Sequence, residues 1–275
     1  MPDSAVGGRS ESPLPVEARR ERLAALVAEE GFVRVSDASE LFAVSEVTLR
    51  SDLSALENVG ALRRVHGGAM AAPGEGREFP VEATAETHAG VKRAIGRRAA
   101  SLVTSGSSIL LDVGSTTLAV ARALVARTEL AELVVVTNGL SIALALEPAI
   151  PRITVIVTGG TLRPLQHSLV NPLAGQTLAS LHVDLAILGC NGIDAGGRVT
   201  NLNLAEAEVK RDMLAASETR MLVADGSKVG QRHLGLIGEL GDFATVVTGG
   251  GEAKSLQQPA ELAGCRLLIV DAALG

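Results

Sequence analysis

From Thr87 onward the chain alternates short apolar runs with amphipathic stretches, and run after run stops at a turn of small polar residues. Strands are expected over 108–112, 133–137, 152–158, 183–188, 219–224, 244–247 and 266–270, and helices over 90–103, 117–127, 140–146 and 205–216. Near-continuous apolar strands separated by helices require a sheet covered on both faces, so residues 87–275 read as an α/β domain with a mostly parallel sheet. Ligands of such sheets sit outside the carboxyl ends of the strands.

Those ends carry the polar chemistry. Asp112-Val113-Gly114-Ser115-Thr116-Thr117 follows a strand and opens a helix. Gly114 lets a ligand approach the backbone, Ser115, Thr116 and Thr117 add hydroxyls, and the N–H groups of the helix's first turn face outward, an arrangement suited to phosphate. The run is neither G-x-G-x-x-G nor followed by a P-loop lysine, which argues against a dinucleotide or ATP. Four further ends repeat the pattern: Thr137-Asn138-Gly139, Thr158-Gly159-Gly160-Thr161, Gly189-Cys190-Asn191-Gly192-Ile193-Asp194 and Asp225-Gly226-Ser227-Lys228. Together they suggest a pocket for a small polyhydroxylated anion, with Lys228 a counter-charge. Lys210 is the weaker of the two candidate cations, because a lysine on an exposed helix is ordinarily just solvated.

The N-terminal part is organised differently. Residues 33–52 read as two helices joined by a tight turn. Ser36 or Asp37 caps the first, with Glu40 at capping-box distance and Ala38, Leu41 and Phe42 on its apolar face. Ala43 and Val44 make the turn. Ser45 caps a second helix over 46–58, in which Val47, Leu49, Leu53, Leu56 and Val59 supply an apolar stripe and Glu46, Thr48, Arg50 and Ser51 the opposite face. Arg63, Arg64 and His66 then fall on a short strand closed by Gly67-Gly68, a basic wing. A supporting helix over 17–29, with Leu23, Leu26 and Val27 inward, completes a winged helix-turn-helix over 16–71. Residues 1–15 read as a disordered tail, and 72–86, rich in Pro, Gly and mixed charge, as a linker.

Composition removes other classes. The net charge of −6 does not by itself suit DNA, but Arg50, Arg63, Arg64 and His66 concentrate on the second helix and wing, and distribution outweighs the sum. The footprint is small, so an oligomer is expected. With no Trp, no Tyr and four Phe, stacking platforms for single-stranded nucleic acid are nearly excluded. The two cysteines, Cys190 and Cys265, sit in apolar runs and read as reduced thiols of a cytoplasmic protein. No apolar run approaches a membrane span. The histidines lack metal-ligand spacing, and neither a metal nor another cofactor is expected.

Val44-Ser45, Thr48-Leu49-Arg50, Asp52-Leu53, Leu56-Glu57, Gly60, Leu62, Arg64 and His66-Gly67-Gly68-Ala69 resemble the DNA-binding half of the DeoR/GlpR family of transcriptional repressors, with Ser51 where the family usually has a second Arg. Stretches 112–117, 137–139, 188–194, 206–213 and 224–230 resemble its effector domain. The resemblance, over roughly residues 17–250, implies a sheet similar to ribose-5-phosphate isomerase and coenzyme A transferases. It implies a non-enzymatic regulator, most often a repressor of carbohydrate catabolism, released from double-stranded operator DNA by a phosphorylated sugar or sugar alcohol. DNA contacts are then expected from Ser45, Thr48, Arg50, Ser51, Arg63, Arg64 and His66. Effector contacts are expected from Asp112, Gly114, Ser115, Thr116, Thr117, Thr137, Asn138, Gly159, Gly160, Asn191, Asp194, Glu206, Lys210, Asp225 and Lys228, in a dimer or tetramer. The alternative is a sugar-phosphate isomerase fused to a helical domain. Against it, Asn191 stands where the isomerase has the first carboxylate of Asp-Gly-Ala-Asp, and an amide is no base.

Overall fold

The computed structural model describes residues 14–30, 32–65, 67–71, 78 and 80–271, which fall into two compact units, Met1–Arg77 and Glu78–Gly275. Residues 1–13 of the expected tail, and His66, lie outside the described residues.

The first unit runs α1 (Val16–Glu30), β1 (Phe32–Arg34), α2 (Val35–Leu41), α3 (Glu46–Asn58), β2 (Leu62–Val65) and β3 (Gly68–Ala71). The strands form an antiparallel sheet in the order β1-β3-β2. Leu23 and Val27 of α1, Ala38 of α2, and Leu49, Leu53 and Leu56 of α3 close one core with Val33, Val35 and Leu62. This is a winged helix-turn-helix. Its turn is made where expected, with Ala43 at a positive φ of 51°, and the Ser45 hydroxyl accepts the Thr48 amide at 3.2 Å.

Three expectations fail locally. β1 runs straight into α2, which starts at Val35 with Arg34 as an N-cap that makes no side-chain bond. Ser36 Oγ donates to Asp37 instead, so no capping box forms. Val47 and Val59 are 75% and 76% exposed and Leu41 66%. Position 47 lies about 200° around the helix from Leu49, away from the buried face, and Val59 already follows the last turn.

The second unit contains α4 (Val81–Glu86), α5 (Ala89–Ala100), β4 (Ser108–Leu111), α6 (Ser115–Ala126), β5 (Leu133–Thr137), α7 (Leu140–Leu146), β6 (Ile153–Val157), β7 (Thr161–Arg163), β8 (Ser168–Val170) and α8 (Leu173–Leu178). It continues with β9 (Val183–Leu188), β10 (Gly192–Ile193), β11 (Arg198–Asn201), α9 (Leu204–Ala215), β12 (Ser217–Asp225), β13 (Gly235–Glu239), β14 (Thr245–Gly249), α10 (Gln257–Leu262) and β15 (Arg266–Val270). Seven strands form one sheet in the order β15-β14-β12-β9-β4-β5-β6, every pairing parallel.

Alternation along each strand divides the core in two. Ile109, Leu111, Val135, Ile187, Val223 and Val247 face Ile95 of α5 and Val120 and Leu124 of α6. Leu110, Val136, Ala186, Leu188, Leu222 and Val246 face Leu178 of α8, Met213 of α9 and Ala260 of α10. Burial on both faces leaves no room for polar alternation and explains the continuous apolar runs. At Gly96 in α5 a Cβ would lie 2.5 Å from the Ala119 carbonyl, so only glycine permits the close approach of α6.

The chain builds outward from β4, first to β5 and β6, then returns to place β9 on the other flank. The order therefore reverses between β4 and β9, the crevice where such sheets bind ligands. Two small antiparallel elements were not expected: the β7–β8 hairpin and the sheet β10-β11-β13. Their strands are short and broken by glycine or charge. The expected linker over 72–86 also ends early, because residues 81–86 form α4 with Val81 and Ala83 buried.

Candidate functional site

In the first unit α3 presents an exposed polar face. Glu46, Arg50 and Ser51 are exposed, Thr48 is half-buried, and Ser45 fixes the helix start. Arg50 is paired with Glu46 one turn earlier, Nη2 to Oε2 at 2.5 Å. Such an exposed i,i+4 pair is worth only about 0.3–0.5 kcal/mol, so the guanidinium is readily given up to a phosphate or a base edge. Arg64 on β2 reaches back to α3, where its guanidinium donates to Ser54 Oγ and its amide to Glu57 Oε1 at 2.8 Å. The wing cation is thereby placed beside the helix. Behind this face Asp52 is buried and accepts from Arg19 Nε at 2.7 Å and Arg20 Nε at 2.9 Å, which pins α1 to α3.

In the second unit the reversal between β4 and β9 is occupied by a buried ion pair. Asp112, which follows β4, accepts the Gly189 amide at 3.0 Å and the Lys210 ammonium, and Lys210 also donates to the Gly189 carbonyl at 3.2 Å. Lys210 is 3% exposed, so it is no solvated surface lysine; α9 turns it inward against the strand ends. Asp112 Oδ1 is buried with no hydrogen-bond partner. Burial pushes the Asp112 carboxyl above its ordinary range, against the opposing pull of Lys210 and Gly189.

Beside this pair α6 begins. Gly114 is its N-cap at φ 139°, a conformation that L side chains rarely adopt, and Thr117 Oγ1 donates to the Gly114 carbonyl at 2.9 Å. Ser115 is half-buried, and the amides of the first turn have no intrahelical acceptor. Asn138 accepts the Val113 amide at 3.1 Å and donates to the Leu169 carbonyl at 3.4 Å, tying this turn to β8. Thr137 Oγ1 accepts the Gly139 amide at 3.0 Å. Gly159 and Gly160, at φ 75° and 130°, carry the chain from β6 into β7.

A second polar cluster adjoins the first. Glu206, one turn before Lys210 and capped by Asn203, accepts from Ser168 Oγ at 2.6 Å, from Asn201 at 3.3 Å and from Arg163. On the far side of β9, Asp225 accepts from the Ser227 amide at 3.0 Å and hydroxyl at 2.5 Å and lies 3.8 Å from Lys92 Nζ. Burial would raise the Asp225 carboxyl, but Lys92, Ser227 and Lys228 outweigh it and hold it below its ordinary value. Burial pushes the Cys190 thiol up to about 12, so it is no nucleophile.

Two further expected effector residues make local hydrogen bonds. Asn191 Oδ1 accepts the Leu202 amide at 2.9 Å. Asp194 closes the β10–β11 turn, accepting from the Gly196 and Arg198 amides and the Arg198 guanidinium at 2.8–3.0 Å.

Residues 19–73 match the DeoR-like helix-turn-helix domain and residues 87–250 the DeoR C terminal sensor domain. The chain belongs to the DeoR family of transcriptional regulators. An HTH-type transcriptional regulator of Bacillus subtilis, YulB, is 34% identical over 86% of this chain and 90% of its own length. The glycerol-3-phosphate regulon repressor of Haemophilus influenzae is 30% identical over 84% of this chain and 88% of its own. Among solved structures, ribose 5-phosphate isomerase A of Methanocaldococcus jannaschii matches 50% of this chain and 53% of its own at 17% identity, with a TM-score of 0.38.

In this DeoR-family chain the fold brings together Asp112, Gly114, Thr117, Asn138, Glu206 and Lys210, and keeps Asp225 and Lys228 within electrostatic range of Cys190 beside them. Arg163, Ser168 and Lys92 join the network without having been expected, and Gly189 joins it from one of the expected strand-end turns. Arg163 and Ser168 sit in strands too short to show a period, and Lys92 lies on a helix whose apolar stripe gives no sign that Asp225 will face it.

Proposed function

We infer that the protein is a cytoplasmic repressor of carbohydrate-catabolism genes, released from double-stranded operator DNA by a phosphorylated sugar or sugar alcohol. The observation that carries the reading is the buried Lys210–Asp112 pair beside the open first turn of α6, a cation and a set of free amides at the reversal of the sheet. A phosphate seated on residues 114–117 gains amide donors and the positive end of the helix dipole. Hydroxyls of the sugar meet Asp112, Asn138 and Glu206, with Asp225 and Lys228 at the far rim. The names of relatives such as the glycerol-3-phosphate regulon repressor point to the same ligand class.

DNA is read by α3, with Ser45, Thr48, Arg50 and Ser51 toward bases and phosphates and Arg63, Arg64 and His66 toward the backbone. The acidic chain concentrates few cations there, so two copies binding adjacent half-sites are needed for useful affinity. An effector that relieves repression 100-fold must favour the released state by about 2.7 kcal/mol, within reach of one phosphate in an amide nest. The isomerase reading is disfavoured because Asn191 cannot accept a proton and Asp194 is spent on a turn.

The test is a thermal-shift panel on the full chain with glycerol phosphate, pentose phosphates and hexose phosphates, each beside its unphosphorylated parent. Saturation at 100 times Kd adds about 2.7 kcal/mol. The expected result is a shift with one phosphate ester and none with its parent sugar, and release of duplex DNA selected in vitro by the same ester. Equal shifts with ester and parent sugar would overturn the phosphate assignment.

A further inference from the structure

Arg163 sits between two carboxylates of very different position. Its Nη1 donates to Glu206, in the first turn of α9, and its Nη2 to Glu78, the first residue of the second unit. All three side chains are largely buried, at 18%, 6% and 15% exposed for Arg163, Glu206 and Glu78. Four residues C-terminal to Glu206 on α9 is Lys210, the partner of Asp112. One guanidinium thus spans the distance from the effector crevice to the segment that leads back to the DNA-reading unit.

The contacts around it follow the same route. Val81, the first residue of α4, donates its amide to the Leu165 carbonyl at 2.9 Å, and Glu82 faces His167 Nδ1 at 3.5 Å. Glu78, Val81 and Glu82 are therefore held by the β7–β8 hairpin at Arg163, Leu165 and His167. The other side of the same hairpin is bound to effector-crevice residues. Ser168 donates to Glu206, the Leu169 amide to the Asn138 carbonyl at 2.7 Å and the Leu140 amide to the His167 carbonyl at 2.9 Å. His167 Nδ1 also meets Ser141 Oγ at 2.7 Å.

We propose that Arg163 is a coupling residue, a latch that holds segment 78–86 against the hairpin in the DNA-binding state and lets go when an effector engages Glu206. Glu206 and Glu78 each hold a different nitrogen of the one guanidinium, so Glu206 helps to keep Arg163 in place for Glu78. A ligand hydroxyl that draws Glu206 into the crevice removes one of its two anchors, and α9 has Lys210 one turn away to register the same event. Allostery of this kind requires a two-state element that both sites bias, and the 78–86 segment on its hairpin is that element. The proposal takes its regulatory meaning from the effector site inferred above, but its test needs no effector.

The test compares full-length parent, Glu78→Gln and Glu206→Gln without ligand, reading amide exchange over 81–86 and affinity for the in-vitro-selected duplex. Glu78 lies outside the crevice, so Glu78→Gln loosens the latch from the strap side, and Glu206→Gln loosens it from the crevice side. Both are expected to speed exchange over 81–86 at least tenfold and to weaken duplex binding at least fivefold. Glu78→Gln, outside the crevice, is expected to keep the overall melting midpoint near that of the parent. Faster exchange with duplex affinity within twofold of the parent would reduce Arg163 to a structural role, and unchanged exchange would remove the latch. A failed sugar-phosphate panel leaves these outcomes readable.

Discussion

Lys210 and Asp112 are joined across the reversal of strand order, 98 residues apart in sequence and 3% and 0% exposed. Their contact makes the crevice a single electrostatic object, with α9 and the end of β4 each holding half of it.

Removing one half is expected to be worse than removing both. Lys210→Met leaves a buried carboxyl without its cation and should destabilise by about 3–5 kcal/mol. Adding Asp112→Asn should restore part of that loss. Urea titration of the full chain, followed through the transition of the second unit, checks the order of the two variants. A double variant less stable than Lys210→Met would show that the pair is not coupled as drawn.

The acid limb of stability should depend on Asp225. Its folded carboxyl is held below the ordinary value of 3.8, so in that range the unfolded chain binds more protons and stability rises with pH. The contribution is complete above about pH 4 and is lost as pH falls through the depressed value. In Asp225→Asn this component should vanish, seen as a flatter melting midpoint between pH 4 and pH 3.

On the recognition helix, Glu46→Gln should tighten binding of the selected duplex by several-fold. The change frees Arg50 and removes a carboxylate from the face turned to phosphate, at a loss to the helix of only about 0.3–0.5 kcal/mol. Arg50→Ala in the same assay should abolish sequence-specific binding, and Arg64→Ala should lower the salt dependence by about one ion. Weaker binding by Glu46→Gln would mean that the ion pair itself shapes the reading surface.

Asp52→Ala should destabilise the first unit strongly. Both guanidiniums that it accepts would lose their acceptor, and Arg19 is buried with it. A loss of about 3 kcal/mol or more is expected in the first transition of a melt, with the second unchanged.

Strands 133–137, 183–188 and 266–270 were legible to the residue. In the first two, burial in the sheet interior writes a largely apolar run that a glycine or hydroxyl turn ends. The last is a half-exposed edge strand, legible because its own apolar run stands between a charged residue at either end. Ser45 as a cap and Ala43 as a turn were legible for local reasons as well. What escaped was set by distance or brevity. Lys210 carries no sign of its burial in α9's own pattern, since its partner lies far away in the chain. Val47 and Val59 kept the spacing of a stripe to which helix geometry does not admit them. Segment 81–86 has the composition of a linker up to Pro80, and only Val81 and Ala83 meeting the second unit makes it a helix.

The order in which β4 acquires its neighbours has a consequence during synthesis. The helices and wing of the first unit leave the ribosome before any strand of the large sheet, and domains generally fold as units in that order. β4 gains β5 early, but the crevice needs β9 and Lys210 of α9, which follow by many tens of residues. A nascent chain is therefore able to fold its helix-turn-helix unit well before the crevice between β4 and β9 exists at all.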